Sequence, residues 1–168
     1  VIAEMAPTER AAILRFTFPE SAESGVVIDA FDRGSQVKVL DQHTVAGYTT
    51  RNSGGVPANF RNYFVIRFDK PIETYRVFDG KSEVKGAAAT GDHALAAGYF
   101  TTRRGERVNA RVASSFISEE QAIRNLEELG DADFETVKAK AQARWDEVLG
   151  KIEVSGGTEE QLRTFYSC

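Results

Sequence analysis

A single cysteine among 168 residues leaves no internal disulfide and no CxxC metal or redox motif. The two histidines, His43 and His93, lie in turn-like surroundings with no HExxH pattern or second ligand nearby, which argues against a metal role. Basic charge is in deficit. The 21 Lys and Arg against 25 Asp and Glu give a net charge of -4, the wrong sign for a nucleic-acid or anionic-membrane surface. No apolar run approaches the roughly 18 residues that cross a bilayer, so no membrane span is expected. No signal peptide is visible, and Val1 in place of a starting Met fits a processed or excised chain. The glycine-rich phosphate loop that opens a helix is also missing, because Gly54-Gly55 precedes a strand.

What is present is enough apolar matter for one core: 42% of residues are hydrophobic in a chain of about one domain's length. Residues 1–117 read as strands. Leu14, Phe16 and Phe18 alternate with Arg15 and Thr17, and Pro19 closes that strand. Residues 26–31 form an apolar run ended by the turn signal Asp32-Arg33-Gly34-Ser35, and residues 36–40 follow at hairpin distance. Residues 44–50, 63–68, 73–78, 94–102 and 108–116 continue the series, the last two joined across Arg103-Arg104-Gly105-Glu106. Residues 79–92, rich in Gly, Ala, Ser and Lys, read as a loop or an edge hairpin. About eight short strands with no helices between them predict a mostly β fold, an antiparallel β-sandwich.

Residues 118–168 read as two to three linker helices. Ser118-Glu-Glu-Gln121 is a capping box leading into Ala122, Ile123, Leu126 and Leu129, with Gly130 as the stop. A second helix begins near Asp133, and Phe134, Val137, Ala141, Trp145 and Val148 fall on one stripe, which predicts Trp145 as a core anchor. Ile152-Glu153-Val154 suggests a short strand. Thr158-Glu-Glu-Gln161 opens a third helix whose apolar face, Leu162, Phe165 and Tyr166, has barely begun when Cys168 is reached. Such a face needs something to pack against, so a piece of a longer protein is expected.

Chemistry-bearing residues are few. Asp29 and Asp32 can be written as a carboxylate pair, but a strand running into a turn accounts for both. Glu119 and Glu120 complement a helix N-terminus, and Cys168 has no histidine partner in view. The informative stretch is residues 47–71, where a polar loop feeds an alternating strand. Arg51, Asn52, Ser53 and Asn59 offer hydrogen-bonding groups beside Gly54-Gly55, where a missing Cβ lets a ligand or another backbone approach. The loop is either a device for orienting hydroxyl-rich ligands or a polar connection capped by Pro57.

Several segments in succession resemble glycoside hydrolase family 92, the calcium-dependent exo-acting α-mannosidases. They are residues 8–19 (TERAAILRFTFP), 47–71, Gly98-Tyr-Phe100, 108–118, Glu119 to Leu126, Asp133-Phe134, Trp145 and Gly156 to Gln161. The resemblance implies an N-terminal β-sandwich and a helical linker leading to an (α/α)6 catalytic domain of the same polypeptide. That domain would hold the calcium ion and the two carboxylates of an inverting reaction, all beyond Cys168. It implies mannose-containing glycans as partners and a secreted or periplasmic location. It also places loop 51–60 at the rim of the sugar pocket, with Arg51, Asn52, Gly54, Gly55, Val56 and Asn59 as substrate-binding residues. One departure stands out: many α-1,2-specific members are expected to carry a Gly-Trp pair where this chain has Gly55-Val56, and valine has no broad face to stack on a pyranose. Two other readings remain at this stage: a freestanding carbohydrate-binding sandwich using Tyr48, Phe60 or Tyr63 as a platform, and a purely structural domain.

Overall fold

The strand of residues 62–68 shows how the layers arise. Phe64, Ile66 and Phe68 project into one apolar cluster while Tyr63 and Val65 project into another, so both faces of the strand are covered. The computed structural model describes residues 1–167, and Cys168 lies outside the described residues. It has eleven strands. They are β1 (Ile2–Pro7), β2 (Ala11–Thr17), β3 (Ser21–Asp29), β4 (Ser35–Val39), β5 (Thr44–Thr49) and β6 (Asn62–Phe68), then β7 (Thr74–Asp79), β8 (Ser82–Val84), β9 (Ala88–Gly91), β10 (Ala94–Thr102) and β11 (Arg107–Ser115). A seven-stranded sheet in the order β1-β2-β11-β6-β5-β4-β9 faces a four-stranded sheet in the order β3-β10-β7-β8. Every pairing is antiparallel. The expected antiparallel sandwich followed by helices is the observed architecture.

The main core lies between the sheets, where Phe68 and Phe100 meet with ring centroids 5.3 Å apart amid Phe18, Val37, Val45, Val77 and Val108. On the other face of the large sheet, α1 (Glu119–Leu126) and the start of α2 (Phe134–Leu149) bury Ala122, Leu126, Phe134 and Val137 against Ile13, Ala46, Val65 and Ala113. Ser118 caps α1 by accepting from the Gln121 amide at 3.1 Å, and Asp133 caps α2 by accepting from Thr136 at 2.8 Å. Arg15, 6% exposed, ties this layer together. Its Nε and Nη2 donate to the Glu4 carboxylate on β1 at 2.8 and 2.9 Å, and its Nη1 donates to Glu135 on α2 at 2.5 Å. Its guanidinium lies 3.9 Å from the centre of the Phe134 ring.

Four points differ from the sequence-based picture. β1 was not anticipated: only Ala6 is buried along it, so an edge strand with one buried side chain shows no alternation. The polar stretch 79–92 supplies two short edge strands, β8 beside β7 and β9 beside β4. Trp145 is not a core anchor; it is 61% exposed, because α2 lies mainly against β1 and β2 at the sheet's edge and buries nothing beyond Val137. Residues 152–154 form no strand, since no neighbouring strand is there to pair with them. The Tyr166 hydroxyl instead accepts from the Val154 amide at 3.0 Å. The final box does form: Thr158 N donates to Gln161 Oε1 at 2.9 Å, Gln161 N donates to Thr158 Oγ1 at 3.3 Å, and α3 (Glu159–Ser167) follows.

Candidate functional site

The antiparallel order brings the β3–β4 turn, the β5–β6 loop and the end of β11 to one end of the sandwich. Loop 51–60 leaves β5 there with no regular structure. Its polar residues divide by what they bind. Asn52 is engaged within the loop: its Nδ2 donates to the Thr50 carbonyl at 2.9 Å and its Oδ1 accepts from the Gly54 amide at 2.8 Å. This is an Asx-type brace that shapes the loop. Arg51 pairs through Nη1 with the Asp32 carboxylate of the β3–β4 turn, and that guanidinium holds the Asp32 carboxyl below its ordinary range. Asn59 and Val56 are exposed, the latter at 38%.

Gly54 and Gly55 have φ of +110° and +73°, and a Cβ on either would meet nothing within 4 Å. Their glycine character thus answers a backbone need, not a close approach within this chain. The nearby aromatics pack in pairs. Tyr48 and Tyr63 meet edge-on at 5.9 Å, with the Arg61 guanidinium 4.5 Å from the Tyr48 ring centre, so neither tyrosine is a free platform. Phe60 tilts against Phe116 at 5.6 Å.

The β3–β4 turn was read as a plain turn signal, and it holds more. Phe31 and Arg33 both adopt left-handed backbone, with φ of +64° and +71°. Asp29 Oδ1 accepts from the Phe31 amide at 2.7 Å and pairs with His93 Nε2 at 2.8 Å. Buried Ser35 donates to the Phe31 carbonyl at 2.7 Å, and Thr50 Oγ1 donates to the Gly34 carbonyl at 2.8 Å. The turn and the loop are therefore one hydrogen-bonded unit. No sequence signal marked Phe31, since backbone sign is not written in residue type.

A hollow of about 600 Å³ lies at the opposite end of the sandwich, lined by Lys70, Glu73, Arg103, Arg104 and Glu106. Within it Lys70 pairs with Glu106 at 2.5 Å, and Glu73 accepts from the Thr101 hydroxyl at 2.7 Å. Among the described residues no three His, Cys, Asp or Glu side chains gather as a metal cradle. His43 instead hydrogen-bonds through Nδ1 with the Phe68 carbonyl at 2.9 Å. No helix among the described residues is long and apolar enough to cross a membrane.

The fold and the site together define a two-sheet antiparallel β-sandwich that presents a braced polar loop and carries helices on its outer face. Residues 1–115 match the glycosyl hydrolase family 92 N-terminal domain, and residues 121–168 match the glycosyl hydrolase family 92 catalytic domain. An inverting mannosidase of that family from Bacteroides thetaiotaomicron VPI-5482 superposes with a TM-score of 0.92 at 40% identity, over 98% of this chain and 23% of that one. An α-mannosidase of the family from Bacteroides thetaiotaomicron, solved in complex with mannoimidazole, superposes at 0.84 with 28% identity, over 92% of this chain and 22% of that one. A protein of Arthroderma benhamiae named an uncharacterized secreted glycosidase is 30% identical over 99% of this chain and 26% of its own length. This chain belongs to glycosyl hydrolase family 92 and spans about a quarter of the length of these relatives.

Proposed function

We propose that this chain is the N-terminal β-sandwich part of an inverting, calcium-dependent exo-α-mannosidase that is secreted or periplasmic. Its loops shape the substrate pocket, and the catalytic carboxylates lie in a C-terminal domain of the same polypeptide. The observation that carries the reading is the likeness, at 40% identity and over 98% of this chain, to an inverting mannosidase of the family. The exposed stripe of Trp145, Val148 and Leu149 on α2, with Phe165 on α3, supports it too, as an apolar face suited to pack on that domain.

Inversion needs an acid to protonate the leaving oxygen and a base to activate water on the opposite face of the ring. Asp29 and Asp32, the carboxylates that the sequence offers as a pair, are not such a pair among the described residues. Asp29 is occupied by the Phe31 amide and His93, and Asp32 by Arg51. Calcium takes roughly six to eight oxygen ligands. The described residues do not fit that need, so no step involving the ion is assigned to them. What this chain contributes is orientation: Arg51 and Asn59 face solvent at the sandwich end and can meet sugar hydroxyls.

The full polypeptide that carries this chain should release mannose from an α-mannoside, lose activity on calcium chelation, and give β-mannose as the first anomer by proton NMR. Residues 1–168 alone should turn over nothing, with or without calcium. Release of α-mannose first, or turnover by residues 1–168 alone, would defeat the proposal.

A further inference from the structure

Among the described residues only two non-glycine residues have positive φ, Phe31 at +64° and Arg33 at +71°, and both lie in the β3–β4 turn. Such backbone is disfavoured for any residue with a Cβ, and it persists only where the surroundings over-determine it. Apolar packing does not do this here: the Phe31 ring is 54% exposed and belongs to neither apolar cluster. Polar groups clasp the residue instead. Asp29 Oδ1 accepts from the Phe31 amide at 2.7 Å, and Ser35 Oγ donates to the Phe31 carbonyl at 2.7 Å. Both arms of the clasp are fixed to the small sheet. The Ser35 hydroxyl accepts from the Ala94 amide of β10 at 2.8 Å. Asp29 pairs with His93, whose own amide donates to Asp79 of β7 at 3.1 Å.

The far side of the turn carries loop 51–60. Thr50 donates to the Gly34 carbonyl twice, through its amide at 3.0 Å and through Oγ1 at 2.8 Å, and Arg51 pairs with Asp32. The loop's first turn then closes on itself, with the Arg51 amide donating to Thr49 Oγ1 at 3.1 Å and the Gly54 amide to Asn52 Oδ1 at 2.8 Å. Asp32 and Gly34, the residues that reach the loop, directly follow Phe31 in the chain. A change in the sign of φ at Phe31 therefore swings both away together. We infer that the β3–β4 turn is a sprung catch for loop 51–60: the clasp of Asp29 and Ser35 holds Phe31 in its disfavoured conformation, and opening the clasp releases the loop from a distance while the sheets stay paired. The device requires no ligand, so it stands or falls apart from the mannosidase reading.

The test is amide hydrogen exchange in the full polypeptide, read at residues 50–54 and, for reference, at residues 96–100 of β10. Wild type is compared with Asp29→Ala, Phe31→Gly and the two substitutions combined. Asp29→Ala, at an exposed position, should speed exchange at residues 50–54 about tenfold, the size of one lost hydrogen bond to a charged group, and leave residues 96–100 unchanged. Phe31→Gly alone should keep residues 50–54 as protected as in wild type, because glycine adopts positive φ without restraint. It loses little on the loop side, since the Arg51 guanidinium stands 5.9 Å from the ring centre, at the outer limit of a cation–π contact. Added to Asp29→Ala, it should cancel most of the effect and return exchange at residues 50–54 to within about threefold of wild type. Unchanged exchange at residues 50–54 in Asp29→Ala would overturn the inference. So would equal acceleration at residues 96–100, the mark of a global loss of stability. A combined variant as unprotected as Asp29→Ala alone would show a hydrogen bond with no strain behind it, and would overturn it too.

Discussion

Replacing Gly47 by alanine should unsettle the loop-bearing end of the sheet more than its single added methyl group suggests. Gly47 lies mid-strand in β5, opposite Val37 of β4 and Phe64 of β6. A Cβ there would fall on the main-chain oxygen of Gln36 and 2.8 Å from Phe64 Cζ, nearer than real side chains tolerate. The carbonyl cannot retreat without opening the β4–β5 ladder, and the phenyl ring is held among Phe68, Val45 and their neighbours in the core. Overpacking of this kind costs about 1–3 kcal/mol. A Gly-to-Ala change otherwise returns roughly 0.4–1 kcal/mol through the unfolded state. A net loss of about 1.3 kcal/mol is expected for Gly47→Ala, which at a typical urea dependence of about 2 kcal/mol per M moves the midpoint down by about 0.7 M. Circular dichroism across a urea series on residues 1–168 would read it. Adding Phe64→Leu removes the ring contact but not the carbonyl clash, so the double variant should recover less than half of the loss. A Gly47→Ala midpoint matching wild type, or full recovery in the double variant, would refute the steric argument.

Other consequences follow from the same geometry. Asn52→Ala should lower stability by about 1 kcal/mol in thermal melts, since it removes two hydrogen bonds that shape the loop. Asn59→Ala, at an exposed turn, should change stability by less than about 0.5 kcal/mol yet raise KM in the full polypeptide; an unchanged KM would remove Asn59 from the pocket. Trp145→Ala should alter the stability of residues 1–168 by less than about 0.5 kcal/mol, because the side chain is 61% exposed. The same substitution should destabilise the full polypeptide measurably if its C-terminal domain covers that stripe, and equal melts in both contexts would count against such docking. Carboxyls held low by Arg51 at Asp32, Lys70 at Glu106 and Arg15 at Glu4 contribute to the response to acid. Their folded values lie below the unfolded ones, so their stabilisation is complete above about pH 5 and is lost as pH falls through about 4 and below. Asp32→Asn and Glu106→Gln should each flatten that acid limb in urea midpoints taken from pH 7 to pH 3, and an unaltered limb would contradict the assignment.

Periodicity alone determined the sandwich. Phe64, Ile66 and Phe68, like Leu14 and Phe16, alternate because one face of each strand meets the opposing sheet, and Ser118 and Asp133 mark helix starts through chemistry confined to one turn. Periodicity could not show which stripes find a partner. Val65, on the opposite side of its strand from Phe64 and Ile66, is fully buried under the helices, while Trp145, read as a core anchor, stands in solvent past the sheet's edge. Both outcomes depend on where α1 and α2 land, a matter of long-range packing. The loop's polar residues were readable as residue types, but their roles were decided in three dimensions. Asn52 turned to its own backbone, Arg51 crossed to Asp32, and Phe31 was carried to the same end by a turn whose backbone sign only the folded contacts of Asp29 and Ser35 could impose.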